Sequence, residues 1–586
     1  MSRPGKRMVA LALLTLIGTL VYALTGAVAP VQAQASELQV IIDGDTQLYP
    51  SPVIMNGRVL IPASCLAGAL GAQINWDSKH SMVTLTADGT IIKLSAGSQK
   101  AFVNGNPVEL DARAMILQDR FFAPVRFVAE ALGAQVSWDG HAQTVEIASK
   151  QAADVRRVYT DILPAHIAFT SSGHLWLLDA RIAGDPPRQV THKGTVSIIG
   201  WSPDGQWLAY LQSDDRDSGA FYASNNRLWV VRSNGTEAYQ IDQDVVLTDQ
   251  ALAWSPADNT IAYFTKTTST QFTGFTMKLA QIADGAAKIN TLLPEGDGAF
   301  DFGWAPDGQS LAVSFPANWE QGMRIDRVTL NGERTNLLQL GDKITSYDNI
   351  IYSWGAQGFK WSPDGRYLAY YLRAMSSSLS ADGVTIQLFD ITTGKTLDLG
   401  GGLEYPEWLA WSPDSKQLAF INGAGREATT EKRLFIASMT DGKIADCGSA
   451  GQVDTQPVWT QTVPYRVAFC RGAENLNWEG QPNGFWGVMV PGQQIWMGDS
   501  NVRQPVTVAT ADTAGYAPNV SPDGKSLIYL RLDRMSVGSL VLAPLDGSAE
   551  IRLVSGLTGT PGYYGNYYPD WFSIFWVRRE VNQPIS

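Results

Sequence analysis

One turn signature returns at near-regular intervals through most of this chain, and a chain built that way has few ways to fold. Trp201-Ser-Pro-Asp-Gly205 is followed by Trp207-Leu-Ala-Tyr210. The theme comes back as Trp254-Ser-Pro-Ala-Asp258, Trp304-Ala-Pro-Asp-Gly308, Trp361-Ser-Pro-Asp-Gly365, Trp411-Ser-Pro-Asp-Ser415 and Val520-Ser-Pro-Asp-Gly524, with a degenerate copy at Val458-Trp459-Thr460. Successive anchors lie 48 to 61 residues apart, a period that means stacked supersecondary units. The residue types explain the turn. Proline presets φ at its first central position, aspartate bonds nearby backbone, and glycine supplies positive φ. The apolar run after each turn reads as an inner strand packed on both faces. Further strands follow, such as Arg227-Leu-Trp-Val-Val231, Thr385-Ile-Gln-Leu-Phe389, Arg433-Leu-Phe-Ile436 and Gln494-Ile-Trp-Met497. Four strands repeated radially make a β-propeller. Trp201, Trp254, Trp304, Trp361 and Trp411 are then expected to fill the gaps between blades. Asp204, Asp307, Asp364, Asp414 and Asp523 are expected to shape turns rather than do chemistry.

The ends of the repeat array suggest how the ring closes. Before the first anchor, Ile167-Ala-Phe-Thr170, His174-Leu-Trp-Leu-Leu178 and Arg188-Gln-Val190 look like the later strands of a blade without its start. At the far end, Tyr568-Pro-Asp-Trp571 and Ile574-Phe-Trp-Val577 look like the start of a blade without its end. Joining them gives eight blades closed by strands from both ends; an excursion in one segment would leave seven.

A second, tighter repeat precedes this array. Arg58-Val-Leu-Ile-Pro62 recurs as Arg120-Phe-Phe-Ala-Pro124, and Ala69-Leu-Gly-Ala-Gln-Ile-Asn-Trp-Asp77 recurs as Ala131-Leu-Gly-Ala-Gln-Val-Ser-Trp-Asp139, every position offset by 62. Each copy reads as a strand, a short helix ended by glycine, and a hairpin. Pro124 suits the first helical turn, and Phe127, Val128, Ala131 and Leu132 share one helix face. Neither copy could bury its helix alone, so residues 37–150 are expected to form one small α+β domain. Residues 151–164 follow neither pattern and read as a linker to a propeller at 165–586. The fold class is mainly β: a small α+β domain, then a propeller.

Both repeats resemble known families. The paired strand, proline, short helix ending Leu-Gly-Ala, then Trp-Asp, resembles the copper amine oxidase N-terminal-like, or stalk, domain found on many exported bacterial proteins. The resemblance implies no oxidase. The copper and quinone of those enzymes belong to another domain, and copper there needs three histidines, two as His-x-His. His80, His141, His166, His174 and His192 show no such spacing. The Trp-Ser-Pro-Asp-Gly copies resemble the TolB-type, WD40-like propeller repeat, in which repeat residues are structural and function lies in loops at the channel mouth.

The N-terminus bears on compartment. Arg3, Lys6 and Arg7 precede an uncharged stretch from Met8 to Ala29, and Ala33-Gln-Ala35 offers a signal-peptidase site. Residues 1–35 are therefore expected to be a signal peptide. The stretch is also long enough to span a bilayer, so retention as an anchor is the other outcome. Either outcome places the remainder outside the cytoplasm, secreted or at the cell surface. A net charge of −12 disfavours nucleic acid and anionic lipid as partners, leaving the N-terminal segment as the one membrane contact. Three cysteines, Cys65, Cys447 and Cys470, make no disulfide framework or metal cluster. Cys447 and Cys470 either pair or stay buried thiols.

Candidate chemistry is thin. Asp215, Asp217 and Gly219 resemble the start of a calcium loop but lack the later glutamate and read as a solvated loop. Gly498-Asp-Ser-Asn501 suggests an esterase block, yet no histidine follows it. The Gly-x-Ser-x-Gly elbow of prolyl oligopeptidases is absent. No cofactor, metal site or catalytic residue is expected. Loop aromatics carry the clearer signal: Trp478, Phe485 and Trp486 in an insertion rich in Asn, Gly and Pro, and Tyr563, Tyr564 and Tyr567 near the end. Rigid aromatics on loops suit stacking on sugars or docking of proteins; covering the ring's ends would use them equally well. The expected function is an exported, non-catalytic binding or scaffolding protein of the cell envelope with a protein or glycan partner. The alternative is a propeller-type carbohydrate-active enzyme, a polysaccharide lyase or glycoside hydrolase, which would need convergent carboxylates or a metal.

Overall fold

The computed structural model describes residues 38–577 except 43–44, 47–51, 56, 71, 88, 118–119, 140–143, 149–154, 214–225, 247–251, 266–274, 347–353, 375–382, 424, 426–427, 475–489, 491, 509, 511–512, 535–536 and 560–570. Residues 1–35, with the expected signal peptide, lie outside them. Among the described residues no helix is long and apolar enough to cross a membrane.

The N-terminal repeat builds two halves around one core. Strand Arg58–Pro62 leads into helix Ala63–Ala69 and hairpin Gln73–Asp77/Met82–Ala87; strand Arg120–Pro124 leads into helix Val125–Ala131 and hairpin Gln135–Asp139/Thr144–Ala148. The two halves join through their equivalent strands. Ile61 pairs with Ala123, Leu60 with Pro124 and Pro62 with Phe122. Since Ile61 and Ala123 are themselves equivalent, this antiparallel register sets a local two-fold axis between them. Ile61, Leu66 and Val83 of one half and Ala123, Val128 and Val145 of the other share a single buried cluster. Pro124 ends its strand and caps the helix that starts at Val125, one residue later than expected. Its extended ψ of 118° is what excludes it from the first turn. Gly133 takes the left-handed position, with φ 85°.

The rest of the chain forms eight successive antiparallel sheets among the described residues, seven of four strands and one of five. We number them as blades 1–8. Blade 1 takes its innermost strand, Phe572–Trp576, from the C-terminal region and its other three, Ala165–Ser171, His174–Asp179 and Arg188–Gln189, from the start of the array. The closing register runs from Ala165 against Trp576 to Phe169 against Phe572. Blade 8 holds a fifth strand, Arg156–Arg157, on the outside of Ile551–Thr558. The segment expected as a linker through 164 thus belongs to the ring from Arg156 onward. Arg157 fixes it by donating to the carbonyls of Tyr159, Asp161 and Ile182, and Leu163 joins the apolar cluster between blades 8 and 1.

The turn signature does two jobs. Within a blade, the Ser202 hydroxyl donates to Asp204 Oδ1 (2.6 Å) while accepting from the Trp207 N–H (3.0 Å), and Asp204 Oδ1 accepts from the Gln206 N–H (2.9 Å). Ser362–Asp364, Ser412–Asp414 and Ser521–Asp523 repeat the hydroxyl-to-carboxylate bond. Asp307 follows Ala305 instead of a serine and accepts only from Gln309. Burial pushes the Asp204, Asp414 and Asp523 carboxyls up, but the serine hydroxyls and turn N–H groups outweigh it and hold them below the usual range.

Between blades, the tryptophan works through its indole N–H. Trp254 donates to Gly200 O, Trp304 to Ala253 O, Trp361 to Gly303 O, Trp411 to Lys360 O and Trp459 to Ala410 O, at 2.9–3.2 Å. Each acceptor is the residue before the preceding blade's own anchor. Trp201 continues the series onto Ser573 O of the closing strand. Val520 has no such donor. There Gln456 bridges blades 7 and 8, its Oε1 accepting from the Ala517 N–H at 2.9 Å. Three residues before the anchor is also where Asp301 accepts from the Gly358 N–H of the next blade (2.7 Å).

Candidate binding face of the propeller

Antiparallel blades sort their connections onto two faces. The turns between first and second strands, such as 202–206, 255–259, 305–309, 362–366, 412–416 and 521–525, stay short throughout. They share one face with the links between third and fourth strands. The opposite face carries the connections between second and third strands, at 214–226, 266–275, 316–323, 375–383, 423–432 and 474–493 for blades 2 to 7. It also carries the links between blades, including 340–353 and 559–571. In blade 1 the same connection is only 172–173, and in blade 8 the second strand ends at Arg534 and the third begins at Val537. The longer second-to-third connections thus belong to six neighbouring blades, 2 to 7.

Trp478, Phe485 and Trp486 belong to connection 474–493, and Tyr563, Tyr564 and Tyr567 to 559–571. All six lie outside the described residues, as do Asp215, Asp217 and Gly219. The strand ends that anchor both connections do lie on this face. One aromatic not singled out in the sequence lies there as well. Trp319, in 316–323, is 48% exposed. Its sequence signal was a lone tryptophan outside any repeat.

Several charged groups at these strand ends come as pairs. Lys278 Nζ meets Asp242 Oδ2 at 2.8 Å, and the Tyr263 hydroxyl donates to the same oxygen. Arg324 bonds Asp326 at 2.9 Å, and Arg373 bonds Glu404 at 2.9 Å. Within blade 7, Arg471 grips its strand partner Asp454 with two bonds, 2.6 and 2.8 Å, and donates to Cys447 O. Both side chains are almost wholly buried. Among the described residues no group of three or more His, Cys, Asp or Glu is placed to hold a metal ion. Cys447 and Cys470 are both free and buried; burial pushes the Cys470 thiol up to about 12.

Residues 41–147 match the family model described as the copper amine oxidase N-terminal domain. Dipeptidyl-peptidase 5 from Porphyromonas gingivalis is 30% identical over 142 residues, 23% of this chain. That match spans only 20% of the peptidase's own length. Among solved structures, TolB from Acinetobacter baumannii covers 63% of this chain and 82% of its own, at 14% identity and a TM-score of 0.27. The β-propeller domain of the trilobed protease from Pyrococcus furiosus covers 64% and 98%, at 12% identity and a TM-score of 0.35. The neighbours are TolB-like and other propeller proteins.

Proposed function

We propose that the chain is an exported, non-catalytic binding or scaffolding protein of the cell envelope, and that the loop-bearing face of the propeller takes a protein or glycan partner. The observation that carries this reading is the sorting of connections. Every long link with an aromatic cluster leaves from one face, whereas the other face carries connections of at most eight residues, among them the five-residue signature turns whose polar groups satisfy one another. A face of varied loops on a rigid ring is a binding device. The carboxylates Asp242, Asp326, Glu404 and Asp454 each hold a cation. These four are therefore not free to serve as the acid and base that glycosidic chemistry requires.

The test replaces residues 475–489 with a short Gly-Ser hairpin and, separately, changes Tyr563, Tyr564 and Tyr567 to alanine. Binding of the full chain and both variants to purified wall polysaccharide and to solubilised envelope proteins is then measured at one ionic strength. Saturable binding lost in either loop variant supports the reading. Binding that neither variant weakens, or turnover of a polysaccharide substrate, overturns it.

A further inference from the structure

The N-terminal domain has local two-fold symmetry, and one aromatic contact breaks it. Trp76 packs against Phe121 of the other half, ring centroids 5.8 Å apart and planes inclined at 60°. The 62-residue offset maps this pair onto Trp138 and Val59. Valine supplies no ring. A cleft of about 430 Å³ stands there, lined by Trp138, Val59, Ile54, Phe127, Arg58 and Asp111 among others. That volume lies within the range of roughly 300–1,000 Å³ common to small-ligand sites. Trp138 is 42% exposed, close to the 45% of Trp76, and Ile54 is 55% exposed.

Two features define what would fill the cleft. Its rim charges are already balanced: Arg58 Nε donates to Asp111 Oδ2 at 2.8 Å, and Arg126 lies 3.8 Å from Glu130. The Arg58 hydrogen bond holds the Asp111 carboxyl below its usual range, so the pair persists at neutral pH. A charged group gains little there. The second feature is the strand Val53–Met55, which carries Ile54. It is outermost in the sheet it forms with Arg58–Pro62 and Arg120–Pro124, so among the described residues its far edge is unpaired. An open edge accepts an added strand through main-chain hydrogen bonds, while pockets beside it select side chains.

We propose that this cleft receives a phenylalanine-type side chain from an extended segment of a partner protein, which adds as a strand along Val53–Met55. The other half of the domain displays the bound arrangement, with Phe121 against Trp76 standing in for the partner's ring against Trp138. A neutral sugar could also stack on an indole. The valines of its lining, Val59, Val136 and Val145, offer no side-chain hydrogen bonds and favour the phenyl ring. This site is separate from the propeller face, and its test does not depend on that reading.

The test titrates the full chain with fluorescein-labelled, capped seven-residue peptides of alternating threonine and valine, one with a central phenylalanine and one with alanine in its place. Anisotropy reads peptide binding, and calorimetry reads chitotriose and cellotriose. The phenylalanine peptide should bind at least tenfold tighter than the alanine peptide. Val59→Phe, which installs the other half's own ring, should weaken it at least tenfold with the melting midpoint unchanged. Trp138→Ala should weaken it similarly and serves if Val59→Phe folds poorly. Equal binding of the two peptides, full binding by both variants, no peptide binding at millimolar concentration, or Trp138-dependent binding of a trisaccharide alone would each overturn the proposal.

Discussion

Removing residues 571–586 should destabilise the whole ring, although the cut takes only the end of the chain. The strand Phe572–Trp576 makes five residue pairs with Ala165–Phe169. The bond from the Thr170 N–H to Trp571 O and the bond from the Val577 N–H to Pro164 O extend them. It also receives the Trp201 indole at Ser573 O and sends the Trp576 indole to Asn519 of blade 8. The strand's own burial is largely offset by the conformational entropy of ordering it, about 1–2 kcal/mol per residue for the backbone. What remains is the wall it covers: strand Ala165–Ser171 is buried along its whole length, and Ile167 and Phe169 are fully enclosed. Re-exposing about 200 Å² of apolar surface at about 25 cal/mol/Å² costs about 5 kcal/mol. For a ring of roughly 420 residues the unfolding entropy near the midpoint is about 0.9 kcal/mol/K, so the midpoint should fall by about 6 °C. Calorimetry of the full chain and of chains ending at Asp570 and at Val577 measures this. The chain ending at Val577 keeps every closing bond named above and should melt with the full chain. A synthetic peptide of residues 570–577 added to the shorter one should restore part of the loss. Identical midpoints for all three chains, with unchanged solubility, would refute closure by this strand.

Other consequences follow from the same structure. Asp454→Ala leaves the buried Arg471 guanidinium uncompensated and should cost about 3–5 kcal/mol, whereas Asp454→Leu with Arg471→Met should cost much less; additive losses in a denaturation cycle would contradict this. Trp411→Phe removes the donor to Lys360 O and should cost about 1 kcal/mol, read from urea unfolding, with Trp361→Phe costing a similar amount. Gly205 has φ 69°, and a Cβ there would lie 2.1 Å from the Phe575 ring. Gly205→Ala should therefore destabilise blade closure, seen as faster amide exchange in strand Ala165–Ser171. Burial holds the His166 imidazole below its ordinary value, helped by Arg181 and opposed by Asp179. The unfolded chain then takes up this proton first, so stability should fall as pH drops below about 6.5. His166→Phe should flatten that slope in melts between pH 7 and 5.

How much of this was legible in the sequence depends on whether a feature is local. The turn signature is local: proline, aspartate and glycine fix backbone angles over five residues wherever they stand, so most blades, their order and the halves of the closing blade could be read directly, while the degenerate copy at Val458-Trp459-Thr460 left the count at eight or seven. The 62-residue repeat was legible for the same reason. The sorting of long connections onto one face follows from antiparallel strand order once the blades are known. What the sequence could not show are contacts between residues distant in the chain. No pattern announces that each indole donates to the carbonyl one blade back, or that Gln456 stands in where Val520 has no donor. Arg156–Arg157 carries too few residues to read as a strand; it becomes one because blade 8 presents a free outer edge. Pro124 moved from helix to strand because pairing with Leu60 overrode its helical preference. The cleft beside Trp138 exists through a difference between Val59 and Phe121, two residues that look interchangeable in a strand. Only folding the halves together across their two-fold axis makes one a wall and the other a vacancy.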